Sequence, residues 1–151
     1  MKKFFLFLVL TASCYASFSQ YYILDKRSKV KKNIEAYYAA HNRKYVVAET
    51  DSTVTYILND SLSLPATTVF YFNNRNACIK QEVIFSCDSC LQKSILESLN
   101  NKFTRWEKIG TDSYYTGFPY NVLMEPVKEN GQFTMRYTHL RRKALKGHKE
   151  E

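Results

Sequence analysis

The sequence predicts an α+β protein: an antiparallel sheet of about six or seven strands, built from hairpins, with two helices packed on one face. Hydrophobic residues make up 45% of the chain and aromatic residues 15%, which is enough to fill a core in 151 residues. Twelve tyrosines against four glycines and three prolines favour strands over disorder. Short alternating apolar runs recur along the chain, and two longer segments have a helical period instead.

Residues 1–19 are predicted to be an export signal, with the mature chain beginning near Gln20. Two lysines precede a short apolar run, and small residues follow it. The run is too short to span a bilayer, so no transmembrane segment is predicted. A cut before Ser17 and attachment of a lipid at Cys14 are the alternatives. We therefore expect the protein in the periplasm or outside the cell.

The mature chain is predicted to form one α+β domain, residues 20–140, followed by a basic flexible tail, residues 141–151. The formal net charge is +8, but much of the excess lies in the leader and the tail, so the domain itself is only mildly basic. No dense basic stripe alternates with aromatic residues inside the domain, so the sequence predicts no nucleic-acid partner. No internal repeat is apparent.

The first helix is predicted over residues 25–41, where apolar residues recur on one face. Basic residues crowd its first turns, where cations oppose the helix dipole. We interpret them as a solvated face, with contact to an anionic membrane surface as the alternative. Two short strands, residues 45–48 and 53–58, should follow and pair around Asp51 and Ser52.

A two-residue turn at Asn74 and Arg75 is predicted to join the strands of a central hairpin. This register pairs Phe70 with Ile79 and places both in the core. Cys78 then points to the opposite, wetter face. We still expect Cys78 to be mostly buried and unpaired, and the protein to be a monomer.

An amphipathic helix should follow directly, because apolar residues recur at every fourth position. Two short strands, residues 104–109 and 113–116, come next. The last hairpin is closed at Asn130-Gly131, a strong hairpin signal, which sets Glu125 opposite Arg136. The apolar stripe of the helix consists of Leu91, Ile95, Leu99 and Phe103.

Cys87 and Cys90 form a Cys-x-x-Cys between a strand and a helix start. The N-terminus of a helix favours a thiolate and so lowers the pKa of a cysteine placed there. In this respect the motif is similar to the thioredoxin-type redox motif, and Phe118-Pro119 can be likened to that family's proline loop. The chain departs from the family elsewhere, because Ser86 stands where the family has an aromatic residue and no βαβ order precedes the motif.

An oxidising compartment favours a structural bridge between Cys87 and Cys90, or a pair of unreactive thiols, over a redox role. In the redox alternative, Cys87 is the attacking thiol and Cys90 the resolving one. No metal and no cofactor are predicted, because His41 and His139 lack ligand spacing to the cysteines.

Four aromatic residues are the other candidates for a site. Tyr114, Tyr115, Phe118 and Tyr120 lie close together in the sequence and could line a ligand groove, although aromatic residues in strands more often fill a core.

Catalytic motifs are missing from the sequence: it has no H-E-x-x-H, no G-x-S-x-G and no phosphate-binding glycine loop. Its carboxylates are scattered, without a pair placed for acid–base work. The sequence therefore favours a non-catalytic binding or accessory module, which recognises a protein or a small ligand, over an enzyme. A thiol–disulfide redox protein that uses Cys87 and Cys90 is the alternative.

Overall fold

The computed structural model describes most of the predicted domain. The predicted export signal and the predicted basic tail lie outside the described residues, as do Phe103 and Phe118. In the part that is described, neither helix has the length and apolar character needed to cross a membrane. The described residues are 22–59, 66–102, 104–117 and 119–140.

Two helices and eight strands make up the described fold. In chain order they are α1 (Arg27–Ala40), β1 (Tyr45–Glu49), β2 (Thr53–Leu58), β3 (Ala66–Phe72), β4 (Cys78–Phe85), α2 (Asp88–Leu99), β5 (Glu107–Ile109), β6 (Ser113–Thr116), β7 (Val122–Glu129) and β8 (Gln132–His139).

All eight strands belong to one sheet, in the order β1-β2-β3-β4-β8-β7-β6-β5, and every neighbouring pair is antiparallel. This confirms the predicted α+β class and the antiparallel sheet. The number of strands exceeds the expected six or seven, because β5 and β6 join the sheet although they are only 3 and 4 residues long.

The sheet order reveals a duplicated architecture that we did not find in the sequence. Each half consists of a helix followed by four strands: α1 with β1 to β4, and α2 with β5 to β8. The last strands of the two halves, β4 and β8, pair antiparallel at the centre of the sheet, while β1 and β5 form its edges. The two halves therefore have the same order of elements and meet between β4 and β8.

In the first half, α1 buries Val30, Ile34 and Tyr38 against the sheet. These residues are four apart, so they fall on one helical face as predicted. Their partners on the sheet are mainly aromatic. The rings of Tyr56 and Phe70, for example, meet edge to face with centroids 6.1 Å apart.

In the second half, the predicted stripe of α2 is confirmed at Leu91 and Ile95, both of which are buried. They pack against Met124, Met135 and Tyr137 on strands β7 and β8. This core relies on methionine and aliphatic side chains, which fill irregular spaces, more than on stacked rings.

Residues that pair directly across strands lie on the same side of a sheet. Phe70 pairs with Gln81, Gln81 with Tyr137, and Tyr137 with Met124. The sheet residues of both helix clusters therefore lie on one side, termed here the core face. The opposite side is termed the open face.

The turn of the central hairpin differs from the prediction. It spans Asn73 to Ala77 instead of two residues, and Asn76 adopts a positive φ of 56°. The Asn73 side chain fixes the turn, because its Oδ1 accepts hydrogen bonds from the amides of Arg75 and Ala77 at 2.9 and 3.0 Å. An asparagine side chain that binds the backbone in this way, an Asx turn, can stabilise a longer turn in place of a two-residue one.

A β-bulge follows that turn and reverses the predicted faces of two residues. Phe72 pairs with Cys78 and Tyr71 with Lys80, so Ile79 is the extra residue. Cys78 lies in the core with 0% exposure, whereas Ile79 is 45% exposed. The prediction that Cys78 is buried and free is confirmed, but the faces predicted for Cys78 and Ile79 are wrong. Burial raises the pKa of the Cys78 thiol to about 12.

The last hairpin follows the prediction. Asn130 and Gly131 both have positive φ, as a tight two-residue turn requires. Glu125 pairs with Arg136, as the turn position implies.

Candidate functional site on the open face of the sheet

Cys87 is the N-cap of α2, and its sulfur accepts a hydrogen bond from the amide of Cys90 at 3.2 Å. The same two cysteines form a disulfide, with their Cα atoms 5.2 Å apart. An oxygen of serine, threonine, asparagine or aspartate usually satisfies a free amide at a helix start. Here a disulfide sulfur has that role, so the bridge closes the first turn of α2.

The surroundings of this disulfide limit its chemistry. Cys90 is buried and Cys87 half-buried, so a thiol in solution reaches Cys87 more readily. Asp88 forms a salt bridge of 2.9 Å with Lys128 on β7, and this hydrogen bond holds the pKa of Asp88 below its usual range. A charged carboxylate therefore lies next to Cys87. A negative charge disfavours a thiolate and opposes the effect of the helix N-terminus.

The aromatic candidates do not meet in one groove among the described residues. Tyr115 is buried in a small cluster at one end of the open face, and its hydroxyl donates to Oδ1 of Asn121 at 2.8 Å. Tyr114 packs from the core face against the α2 cluster. Tyr120 is exposed in the connection to β7. A ligand role for any of these residues stays a prediction.

The open face is formed by the alternate residues of each strand, and no described helix residue belongs to the clusters on it. At one end it closes into the small cluster of Ile109, Tyr115 and Leu123. Elsewhere its side chains are mostly half-buried or exposed and largely β-branched or aromatic. They include Val46, Thr55, Ile57, Val69, Tyr71, Ile84, Val127 and Thr138.

A charged network lies at the centre of the open face, where β4 meets β8. Glu82 is only 8% exposed. Its Oε1 accepts from Arg136 Nε at 2.9 Å and from Lys80 Nζ at 3.3 Å, and its Oε2 accepts from the Tyr71 hydroxyl at 2.7 Å. The Lys80 ammonium also lies 3.8 Å from the centroid of the Tyr71 ring. Three donors thus offset the cost of burying this carboxylate.

Glu82 and Tyr71 hold the protonation states that the hydrogen bond between them requires. Burial raises the pKa of Glu82, but the hydrogen bonds from Tyr71 and Arg136 prevail and leave it below the usual value. Burial and the hydrogen bond to Glu82 raise the pKa of Tyr71 to about 12. At neutral pH the carboxylate is therefore charged and the phenol protonated. Neither group changes its protonation state near neutral pH, and such groups suit recognition better than proton transfer.

The sequence did not reveal this network. It predicted a central hairpin with a wetter face and paired Arg136 with Glu125 in the last hairpin, but it did not predict that the two hairpins are neighbours. The pairing of β4 with β8 brings them together, across an intervening helix and three strands. The sequence offered one signal for this network: each of the two strands has a charged residue among β-branched residues.

A basic cleft of about 530 Å³ lies at the start of α1, beside the turn between β3 and β4. Lys26, Arg27, Lys31 and Arg75 line it, together with Glu49. Arg27 and Lys31 both form salt bridges with Glu49. These cations are already engaged within the fold, so the cleft is a weaker candidate than the open face.

No three His, Cys, Asp or Glu side chains within the described ranges come together to hold a metal ion. No protein-family model, curated protein or solved structure matches this chain. The network of Tyr71, Lys80, Glu82 and Arg136 is therefore selected as the candidate site on its geometry alone.

Proposed function

We propose that the protein is an exported, non-catalytic module that binds a protein partner through its open face. The observation that supports this most directly is the network of Tyr71, Glu82 and Arg136 at the centre of a face that no described helix covers. Export is the condition under which the Cys87–Cys90 bridge persists.

The composition of the face suits protein recognition. Tyrosine and arginine are enriched at the energetic centres of interfaces, and here both are held in place before binding, which lowers the entropy cost of association. The described hydrogen bond of Arg136 uses its Nε, and a guanidinium has further N–H donors that suit a carboxylate of a partner. A sheet face is also broad and shallow, whereas sites for small ligands are concave.

Site-directed photo-crosslinking tests the proposal in cells that produce the chain with its leader. The probe is a photo-reactive amino acid at Ile57, which is 42% exposed on the open face. Leu96, 60% exposed on the outer side of α2, is the matched control. We expect a discrete protein adduct from Ile57 and none from Leu96.

The captured protein, once purified, should bind the wild-type chain directly. Ile57→Glu should weaken that binding by about tenfold or more, equivalent to about 1.4 kcal/mol, because it places a charge in the contact area. Leu96→Glu should leave the affinity unchanged. Equal adducts from both positions, or binding that ignores Ile57→Glu, would exclude the open face.

Export has its own test, the intact mass of protein recovered outside the cytoplasm. We expect a chain beginning near Gln20. A mass that shows an acylated Cys14 would instead place the protein on a membrane.

A thiol–disulfide role is the second candidate, and one observation favours it. On reduction, a Cys87 thiolate would keep the amide of Cys90 as a hydrogen-bond donor at the start of α2. A reduction potential above about −230 mV together with rapid exchange at Cys87 would support this role. A potential below about −300 mV would identify a structural bridge.

A further inference from the structure

Strand β1 is an edge of the sheet. Its neighbour β2 occupies one side, and none of the described strands follows on the other. The amide of Asn59 donates to the carbonyl of Lys44, and the amide of Thr50 to the carbonyl of Thr53. Hydrogen-bonded pairs alternate along an antiparallel ladder. The amides and carbonyls of Tyr45, Val47 and Glu49 therefore point away from β2. No described contact reaches them.

Strand β1 lacks most of the features that usually protect an edge. Natural edge strands carry charged residues, especially lysine, or proline, contain a bulge, or are very short. Tyr45 to Glu49 has no lysine or proline, and its one charged residue, Glu49, is held by salt bridges to α1. The strand pairs with β2 in an unbroken register and exposes Val46 by 57%. The opposite edge, β5, is only 3 residues long and carries Glu107 and Lys108.

We propose that β1 pairs antiparallel with β1 of a second copy of this chain, so that two sheets join into one across a two-fold axis at Val47. Antiparallel pairing about Val47 sets Tyr45 opposite Glu49 of the other copy. In this register the outward amides and carbonyls of all three residues form hydrogen bonds between the copies. Arg43, just before β1, and Asp51, in the turn just after it, then come to the same end of the interface on different copies. The basic end of each strand thus meets the acidic end of its partner, as a self-complementary two-fold interface requires.

The helices leave room for this arrangement. Helix α1 lies over β1, β2 and β3, because its residues contact Tyr45 and Glu49 as well as Tyr56 and Phe70. With each helix centred near β2, two copies of α1 would be separated by roughly three strand spacings, or about 14 Å. Packed helices need only about 8–10 Å, and charges beyond about 8 Å are largely screened at physiological salt. The helix axes therefore leave room for the pairing, and the two basic side chains that reach β1, Arg27 and Lys31, are neutralised there by Glu49.

This inference goes beyond the proposed function and does not depend on it. It also revises the expectation of a monomer, which rested on Cys78 alone. The core burial of Cys78 excludes a thiol-linked dimer but not one formed by hydrogen bonds between strands.

Charge reversal tests the pairing by analytical ultracentrifugation over a range of concentrations. We expect a reversible dimer that Arg43→Glu and Asp51→Arg each weaken by about tenfold or more, by setting like charges at the same end of the interface. The double variant should restore it. Arg43 and Asp51 lie at opposite ends of β1 within one chain, so restoration would be specific to antiparallel contact between chains.

Val47→Pro is the second variant, because it removes an outward amide and leaves the hydrogen bonds to β2 intact. It should abolish the dimer while circular dichroism confirms that the sheet is retained. A protein that stays monomeric at every concentration would overturn the proposal, and so would a dimer that none of these variants affects. A dimer that dissolves on adding a reductant would be linked through a disulfide and would overturn the proposal as well.

Discussion

The two halves of the sheet share one arrangement of a helix and four strands, but they anchor their helices differently. The N-cap of α1, Lys26, makes no capping hydrogen bond with its side chain. Instead Arg27 donates to the carbonyl oxygens of Thr50, Asp51 and Thr53 at 2.8, 3.0 and 3.3 Å, and so ties the helix to the turn between β1 and β2. Helix α2 is anchored at its start by Cys87, within its own first turn.

The cores differ in the same way. Aromatic rings fill the space under α1, and methionines with aliphatic side chains fill most of the space under α2. The architecture needs only an apolar stripe on each helix and alternation along each strand. Caps, ring contacts and surface charges can therefore differ completely between two halves that have the same topology.

The largest effect is expected from the apolar stripes of the two helices. Substitutions there test whether both stripes contribute equally to stability. Ile34→Ala and Ile95→Ala each remove a buried side chain, and each should lower the free energy of unfolding by about 2–5 kcal/mol. Lys93→Ala, on the outer side of α2, is the control and should be nearly silent. Urea titration measures all three. A loss confined to one half would show that the sheet does not unfold as a unit.

The anchor of α1 should have the next largest effect. Arg27→Met keeps the apolar stem but removes the donors to three carbonyl oxygens, and should cost about 1–3 kcal/mol in the same titration. Lys29→Met removes a cation that is 60% exposed and should change stability by less than about 0.5 kcal/mol. If the two variants behave alike, the hydrogen bonds of Arg27 do not anchor the helix.

The disulfide of α2 should contribute less, because the loop it closes is short. The double variant Cys87→Ser with Cys90→Ala should lose about 1–2 kcal/mol. Its serine can still cap the helix. Replacing both cysteines by alanine should cost about 1 kcal/mol more, since the cap is then lost as well. Equal stabilities for the two double variants would mean that the sulfur has no capping role.

The smallest effect concerns the junction between the halves, where Glu82 binds Arg136. The pKa of Glu82 is lower in the folded protein, so its contribution is present above the usual value of 4.5 and is lost as the pH falls below it. Stability measured between about pH 5 and pH 3 should therefore fall less steeply in Glu82→Gln than in the wild type. Parallel slopes would show that the network adds no charge-dependent stability.

Local patterns predicted the elements well, and the failures occurred where one residue or a distant pairing decides the outcome. The stripe of α2 and the turn at Asn130-Gly131 follow directly from periodicity and turn chemistry. The bulge at Ile79 could not be seen, because Cys78 and Ile79 are both apolar and either can be the extra residue. Here the choice of the extra residue decides which of the two, Cys78 or Ile79, faces the core.

The candidate site could not be predicted from the sequence for a different reason. Its members lie on three strands, and the contact between Glu82 and Arg136 joins residues 54 positions apart. Alternation shows that each strand has a polar residue on one side, but not which strands are neighbours. The duplication was equally hidden, because the two halves share a topology and not a sequence pattern.

The pairing of β4 with β8 has a consequence for the order in which the fold is completed. A chain made from its N-terminus has the whole first half available while β8, the last described strand, is still missing. Until then β4 is a bare edge, with Val83 and Phe85 beside unpaired backbone groups, and such edges recruit strands from other molecules. The closing event is thus slow, since it joins distant segments. A chain that ends before β8 would lack a central strand of its sheet and not an edge strand.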